Sequence, residues 1–321
     1  MRPKILGLAF VVGCLLPGLA RAEGYLKESQ SRPLLGTVVS VDVCYVDGRQ
    51  DDVKVAIDRV WRRIEEINAR MNAFDPRSDV SLINAAGGNS VVVHEDVERL
   101  IQKSLEEGRQ AGGVFDITVG PLVALWKDAG KKNQYPPLGE IESAKSHVGM
   151  EKIDLEGGGT VRLRDPLARL DLAAIAPGFA ADEAARVLQS ENFHNFMVNA
   201  GGEIYAAGSN CQGRAWRIGV KDPDHRGRFL DTIEIGNAAV STSGDYEKYV
   251  MIDGRRWSTI INPITGYPQS GVASATVIAP TAVEADALST ALCVLGPEEG
   301  LRVVRELGDG YEACIRFRRE E

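Results

Sequence analysis

The segment ASATVIAPTAVEADALSTALCVLG (Ala273–Gly296) reads first as a β-strand and then as an α-helix. Its opening residues, Ala273–Ile278, are predicted to form a strand. Thr281 is a favoured N-cap residue, and apolar side chains then recur at helical spacing over Val283–Leu295. A second helix is predicted over Pro297–Leu307. The carboxyl-terminal part of the chain therefore combines a strand with two helices.

The rest of the chain mixes helices and short strands in no regular order. Helices are predicted over Asp51–Phe74, which follows a capping position, over Asp96–Ala111, which stops at a Gly-Gly pair, and over Ala180–Gln189. Short strands are predicted at Thr37–Cys44, Thr160–Leu163, Arg169–Leu172, Phe196–Asn199, Ala215–Val220, Thr232–Ile235, Tyr249–Ile252, Trp257–Ile261 and Tyr311–Phe317. Because strands and helices do not alternate as β-α-β units, we predict an α+β fold with antiparallel sheet.

Length and composition indicate an ordinary globular protein. The 321 residues suffice for one large domain or two small ones, and apolar residues make up 44% and charged residues 26% of them. The formal net charge is −8, and the isoelectric point lies near 5.3. A nucleic-acid-binding protein normally presents a basic face, so we expect no nucleic-acid partner.

Residues 1–22 are predicted to be a secretory signal peptide rather than part of the fold. A short basic start precedes the apolar run Ile5–Leu16, and Ala20-Arg21-Ala22 offers a small-x-small cleavage site. The run is shorter than the about 20 residues that a membrane-spanning helix needs. Lipid attachment at Cys14 is a second interpretation. In both cases the single domain of residues 23–321 is expected to be periplasmic.

Cysteine and histidine usage leaves a disulfide open and disfavours a zinc site. Export permits disulfides, but no C-x-x-C spacing exists, so the sequence neither assigns nor excludes a pair. Cys293 lies on an apolar helical face, which indicates a core position. No histidine has metal-ligand spacing to another histidine or to a cysteine. The residues concerned are Cys44, Cys211, Cys293, Cys314, His94, His147, His194 and His225.

The helix that starts near Thr281 presents a group of oxygen-bearing side chains. Asp286 and Thr290 are four residues apart and share a helix face, and Ser289 projects close to it. A carboxylate with hydroxyl groups offers the hard oxygen ligands that Mg²⁺ prefers. The alternative interpretation is structural: Thr281 caps the helix, and Asp286 only complements its positive N-terminus.

Three further segments place polar residues among small or apolar ones. Asp171 lies in the predicted strand Arg169–Leu172, where a carboxylate is costly unless it is paired or binds a ligand; alternatively, it caps a turn. Asp116 and Thr118 alternate with apolar neighbours, which fits a ligand contact or simply a strand-to-turn transition. Val240–Tyr246 reads either as a hydroxyl-rich ligand loop or as a turn.

Together, and in this order, these segments resemble the ApbE family, FAD:protein FMN transferases of the bacterial periplasm, over roughly Leu34 to Gly308. The matching segments are Leu35–Thr37, Met71–Pro76, Ser81–Asn84, Phe115–Leu122, Leu170–Ala180, Val198–Glu203, Ser241–Tyr246, Ile261–Pro268 and Ala279–Gly296. The resemblance implies an α+β fold related to the T-fold, in which antiparallel sheets and packed helices form a cleft for FAD.

The resemblance also implies an activity and a set of site residues. Family members use Mg²⁺ to transfer the FMN moiety of FAD to a Thr or Ser hydroxyl of a partner protein, and they release AMP. The expected partner is a redox protein exposed to the periplasm and associated with the membrane. The metal ligands carried over are Asp286, Thr290, Ser289 and a backbone oxygen of Ala174. The FAD contacts carried over are Leu35, Phe74, Val114, Phe115, Asp116, Asp171, Pro177 and Ile261.

Three positions depart from the family pattern. Thr259 stands where many members have the His that resembles the base for the acceptor hydroxyl, and threonine is no base near neutral pH. Asn262 replaces an Asp, and Pro177 replaces a Lys or another polar residue. The leading hypothesis is an FMN transferase. The alternatives are a FAD-binding carrier or accessory protein without transfer, and a FAD diphosphatase, against which Phe74 is expected to shield the nucleotide from water.

Overall fold

The computed structural model describes residues 24–225, 227–246 and 248–318, and the predicted signal peptide and Cys14 lie outside them. The strands are β1 Leu26–Leu34, β2 Thr37–Tyr45, β3 Val91–Val92, β4 Ile153–Gly157, β5 Thr160–Leu163, β6 Phe196–Ala200, β7 Ile204–Ala207, β8 Trp216–Lys221, β9 Phe229–Ile235, β10 Ala238–Gly244, β11 Tyr249–Ile252, β12 Arg255–Ser258, β13 Val272–Ala279 and β14 Glu312–Phe317. The helices are α1 Gln50–Met71, α2 Asp79–Ala85, α3 Glu95–Gln110, α4 Gly120–Lys132, α5 Leu138–Ser146, α6 Ala176–Ser190 and α7 Ala282–Leu307, with a 3-10 turn at Met150–Lys152.

A seven-stranded sheet organises the described part of the chain. Its strand order is β1-β2-β6-β7-β10-β13-β14, and every neighbouring pair is antiparallel. The smaller sheets are β3-β5-β4 and the hairpins β8-β9 and β11-β12. The predicted α+β class with antiparallel sheet is confirmed.

The two faces of the large sheet bury different apolar clusters. In β2, Val39, Val41 and Val43 alternate onto one face and are completely buried against α1, α6 and α7. Cys44 points to the other face, where the β8-β9 hairpin covers the sheet with Trp216. Each fully buried large apolar side chain contributes about 1.5–3 kcal/mol, so the period-two pattern of such strands fixes which side faces which helix layer.

A buried ion-pair network ties α1, α3 and α6 together. Asp96 is 1% exposed and accepts two hydrogen bonds from the Arg63 guanidinium, at 2.7 and 2.6 Å, and further bonds from Arg70 and Arg99. These cations hold the pKa of Asp96 below its ordinary value although burial acts in the opposite direction. Arg63 makes two of these four bonds, so its removal would leave the buried carboxylate less well compensated and would destabilise the fold.

Helix α7 is fixed at its N-terminus by a residue of α6. The Asp182 carboxylate accepts hydrogen bonds from the backbone amides of Ala282 and Val283, at 2.8 and 2.9 Å, and Thr281 caps the helix through its own side chain. Asp182 therefore satisfies amides that a helix start leaves without an intrahelical partner. A kink at Gly296 separates two helical parts, as the two predicted helices require.

The structure corrects several local predictions. Arg169–Leu172 is not a strand but an irregular segment with one bridge, from Arg169 to Val119. The interpretation of Val240–Tyr246 as a loop or turn is wrong for most of its length, because residues 238–244 form β10 in the middle of the large sheet. The predicted strand Trp257–Ile261 ends at Ser258, where the β11-β12 pairing stops. The predicted first helix ends at Met71, so Phe74 lies in the following loop.

Several elements carried weaker sequence signals and were not anticipated. They are β1, β3, β4, β7, α2, α4 and α5. Gly120-Pro121 lies at the end of a segment for which a strand-to-turn transition is one interpretation. In the structure α4 begins at Gly120, because proline is well tolerated in the first turn of a helix.

Cys44 and Cys211 form a disulfide that the sequence left open. It joins β2 to the segment after β7, with the two Cα atoms 5.1 Å apart. Cys293 is buried, as its helical face indicated, and Cys314 is exposed. None of the helices in residues that the structure describes has the length and apolar character needed to cross a bilayer.

Candidate active site

A cleft of about 330 Å³ opens between α7, the end of β10 and three connecting segments. These segments are residues 114–119, residues 171–174 and the stretch 259–261 that follows β12. Most residues that the sequence singled out line it, namely Val114, Phe115, Asp116, Asp171, Ala174, Thr259, Ile261, Asp286 and Thr290. Segments distant in sequence thus converge on one site.

Asp286 is the most deeply buried carboxylate of the cleft lining. It is 3% exposed, and its Oδ2 accepts a hydrogen bond of 3.0 Å from the backbone amide of Gly178 in α6. Burial and the nearby Glu203 carboxylate raise the pKa of Asp286 well above its ordinary value, whereas the Gly178 amide and the Lys248 ammonium oppose this. The ionised form therefore needs a further positive charge in the cleft.

The hydroxyl groups on α7 divide between the cleft and the sheet. Thr290 lines the cleft, and its Oγ1 lies 3.0 Å from Oγ of Ser243 in β10. Ser289 is completely buried, lies within hydrogen-bond distance of Ser241 and Ser243, and donates to the Asp286 carbonyl. Both hydroxyl groups thus lie within hydrogen-bond distance of β10, but only Thr290 lines the cleft.

Two acidic side chains fix two of the connecting segments that line the cleft. Asp116 accepts hydrogen bonds from the amide and the hydroxyl of Thr118, at 2.7 and 2.6 Å, and burial raises its pKa. Asp171 caps a turn by accepting from the Ala173 amide, and its own amide donates to the Ile117 carbonyl. The turn-capping alternative for Asp171 is therefore correct locally, and it fixes one cleft loop to the other.

Three oxygen donors of the cleft lining fit a magnesium ion. Asp286 offers a carboxylate, Thr290 a hydroxyl and Ala174 a backbone carbonyl, all on residues that line the cleft. Among the described residues, no group of three or more His, Cys, Asp or Glu side chains could hold a metal. Mg²⁺ is commonly bound by one or two carboxylates together with substrate phosphates, so a donor set with one carboxylate suits it.

Comparison with known proteins assigns the family. The sequence profile of the ApbE family matches residues 35–315. A FAD:protein FMN transferase of Klebsiella pneumoniae (strain 342) is 38% identical over 282 residues, which cover 85% of this chain and 80% of that protein. The chain belongs to the ApbE family.

Solved ApbE structures share the fold. The flavin transferase ApbE from Vibrio cholerae superposes with a TM-score of 0.79 at 31% identity, over 91% of this chain and 97% of that one. The ApbE protein from Thermotoga maritima MSB8 gives a TM-score of 0.81 at 33% identity, over 91% and 94% of the two chains. The fold predicted from the resemblance is confirmed.

Thr259, which the ApbE resemblance predicts to replace a histidine, lies in the cleft lining. Its hydroxyl donates a hydrogen bond of 3.3 Å to the Lys248 carbonyl, so its proton is engaged with the backbone. Asn262 accepts from the amides of Ile264 and Thr265 and thereby caps the turn that follows. Among the described residues that line the cleft there is no histidine.

Three other ApbE positions lie outside the cleft lining. Leu35 adopts a positive φ of 57° before Gly36 and packs against both large apolar clusters. Pro177 begins α6, where a proline is well tolerated. Phe74 is 89% exposed in the loop after α1. Phe74 therefore does not cover the cleft in the structure.

Other cleft residues carry chemistry that sequence reasoning did not assign. Lys127 comes from α4, Lys248 and Tyr246 follow β10, and Glu203 precedes β7. Glu203 and Tyr246 end segments of the ApbE resemblance, which is the signal that could have found them. The lysines had no such signal, since a solvated lysine is the ordinary case on a helix or loop.

Proposed function

We propose that this chain is a FAD:protein FMN transferase that uses Mg²⁺ and releases AMP. The observation that carries the proposal is that Asp286, Thr290 and Ala174, from segments distant in sequence, all line one cleft. Support comes from the curated relatives, which bear this activity as their name, and from the match of nearly the whole domain to the family.

The chain's own residues bind and orient the substrate. Asp286, Thr290 and the Ala174 carbonyl would hold Mg²⁺, which when bound neutralises charge on the diphosphate of FAD. The loops fixed by Asp116 and Asp171 line the same cleft, where they would align the nucleotide. Phosphoryl-type transfer depends mainly on such positioning and electrostatic stabilisation.

The acceptor and its compartment are part of the proposal. We place the chain in the periplasm, with lipid attachment at Cys14 as the alternative to a cleaved signal peptide. Support comes from the amino-terminal sequence and from the Cys44–Cys211 disulfide, because structural disulfides persist in oxidising compartments. The acceptor would be a periplasm-exposed redox protein, associated with the membrane, with a Thr or Ser at its modified site.

Thr259 favours a second candidate, a FAD-binding protein that does not transfer FMN. Its hydroxyl is bonded to the Lys248 carbonyl, and the cleft lining offers no imidazole for proton removal. The exposed position of Phe74 leaves hydrolysis of FAD to FMN and AMP as a further outcome to measure.

Mass spectrometry of the purified protein mixed with FAD, Mg²⁺ and a threonine-containing acceptor distinguishes these functions. We expect the acceptor to gain FMN while AMP appears in equal amount. Intact FAD that stays bound for hours would assign the carrier function, and FMN with AMP but no adduct would assign hydrolysis. An Asp286→Asn variant and a sample with chelator are the controls, and undiminished FAD binding in both would refute the metal site.

A further inference from the structure

Four exposed cations lie in the cleft or on the two elements that extend from it, on an otherwise acidic protein. We define the basic rim as Lys127, Lys131, Lys248 and Arg255, all of them exposed. None of the four forms an ion pair with another residue in the described part of the chain. The chain as a whole carries a net charge of −8, and the hairpin tip adds one exposed carboxylate, Asp253, so the four cations leave a local excess of positive charge that runs against the average.

The packing of α4 against the β11-β12 hairpin brings these residues together. Gly130 lies so close to Val250 that a Cβ added to the glycine would stand 2.9 Å from the valine Cβ. At the tip of the hairpin, the Asp253 amide donates to the side chain of Asn133, which ends α4. The helix and the hairpin therefore run side by side from the cleft to this tip.

The residues of the basic rim lie along α4 and the β11-β12 hairpin, starting at the cleft. Lys127 and Lys248 line the cleft itself. Lys131 lies about one helical turn beyond Lys127, roughly 6 Å further along α4. Arg255 pairs with Ile252 in the hairpin register, and Ile252 is buried in the cluster that contains Trp126 of α4. Arg255 thus lies on the face of the hairpin that packs against α4, the helix that carries Lys131.

The hairpin that carries the rim is anchored to the body of the domain. Arg256 lies 3.7 Å from Asp245, which is completely buried and also pairs with Arg318. Trp257 stacks 5.5 Å from Trp126. An anchored surface loses less conformational entropy when a partner docks than a mobile one does.

We propose that the basic rim is the docking surface for an acidic patch of the acceptor protein next to its modified hydroxyl. The inference rests on the proposed function for its partner, and charge complementarity supplies the partner's chemistry. Complementary charges mainly set encounter rate and specificity, and they weaken as salt rises. Lys132 is left out of the rim because it pairs with Asp128 on its own helix.

The test varies the two rim residues outside the cleft. The variant is Lys131→Glu with Arg255→Glu, and the matched control is Arg62→Glu with Arg305→Glu, exposed cations of α1 and α7 away from the cleft lining. With FAD bound, a fluorescent threonine peptide flanked by glutamates is compared with the same peptide flanked by lysines. Anisotropy gives both dissociation constants, and thermal melts establish that both variants are folded.

We expect the protein to bind the acidic peptide at least about tenfold more tightly than the basic one at low salt. The rim variant should lose this preference, and the control variant should keep it. In transfer assays the rim variant should raise KM for an acidic acceptor about tenfold and leave kcat and the FAD dissociation constant within about twofold.

Distinct results overturn the inference and the proposed function. Equal binding of the two peptides, or a preference that survives in the rim variant, overturns the docking surface. Loss of binding to phosphatidylglycerol vesicles in the rim variant, without any peptide preference, would assign the rim to a membrane instead and also overturns it. Absence of FMN transfer in every sample refutes the activity, but the peptide result still decides the rim.

Discussion

Gly178 lets α6 and α7 pack closely together. Its replacement by alanine tests whether α6 positions the Asp286 carboxylate. A Cβ at this position would stand 2.4 Å from the Ala282 carbonyl oxygen and 2.8 Å from the Asp286 Cβ. An ordinary contact begins near 3.4 Å, so the helices must separate by about 1 Å. The 3.0 Å hydrogen bond from the Gly178 amide to Asp286 would then be broken.

The cost follows from these distances. Overpacking of this kind costs about 1–3 kcal/mol, and loss of the one described hydrogen bond to a buried carboxylate adds about 1–3 kcal/mol. A misplacement of about 1 Å at a reacting centre lowers rates by roughly a hundredfold. Gly178→Ala is therefore expected to unfold more easily, to need more Mg²⁺ for FAD binding and to transfer FMN about a hundredfold more slowly.

Magnesium titrations of FAD binding, transfer rates and denaturant unfolding measure these three effects. Gly139→Ala is the control, because nothing lies within 4 Å of a Cβ added in α5 and alanine there is expected to stabilise by about 0.5 kcal/mol. If Gly178→Ala keeps the magnesium dependence and the rate of the unchanged protein, α6 does not position Asp286, and the reasoning is wrong.

Three further predictions concern proton transfer, pH and the disulfide. Thr259→His should raise the rate of FMN transfer by about 10²–10⁴-fold and leave the affinity for FAD unchanged, as measured in quenched transfer assays. An unchanged rate would show that the absence of a general base at this position does not limit transfer. Burial raises the pKa of Asp182 to about 6, so protonation favours the folded state. Relative to Asp182→Asn, the free energy of unfolding should therefore fall by on the order of 2 kcal/mol from pH 4 to pH 6; a flat or rising difference would refute this. Replacing Cys44 and Cys211 by alanine should cost about 2–4 kcal/mol in unfolding experiments, and equal stability would show that the bond adds nothing.

Local sequence rules found the part of the site that lies within single elements. Asp286 and Thr290 share a face because they are four residues apart in α7, and both line the cleft. Ser289 is one residue, about 100°, away from Thr290, which is enough to turn it toward β10. Asp171 was singled out as a costly carboxylate in a strand, but the segment is irregular and the residue caps a turn.

Long-range contacts could not be derived in this way. Asp182, in α6, caps the N-terminus of α7. Lys127 and Lys248 line the same cleft only because α4 packs on the β11-β12 hairpin. The Cys44–Cys211 pair spans 167 residues and has no spacing signature. Each of these depends on the topology of the sheet and the helix layer, which periodicity alone does not specify.

The rest of the cleft lining favours a slow transferase over the non-transferring protein that Thr259 alone would suggest. A general base contributes about 10²–10⁴-fold to a rate, whereas orientation and charge stabilisation contribute more in phosphoryl-type transfer. The residues that would supply the larger share are in place, because Asp286, Thr290 and the loops fixed by Asp116 and Asp171 line one cleft. An acceptor held by the basic rim would also gain effective concentration at the cleft. Loss of the imidazole alone should therefore lower the transfer rate by the factor that a general base contributes. The rate that remains should still be measurable.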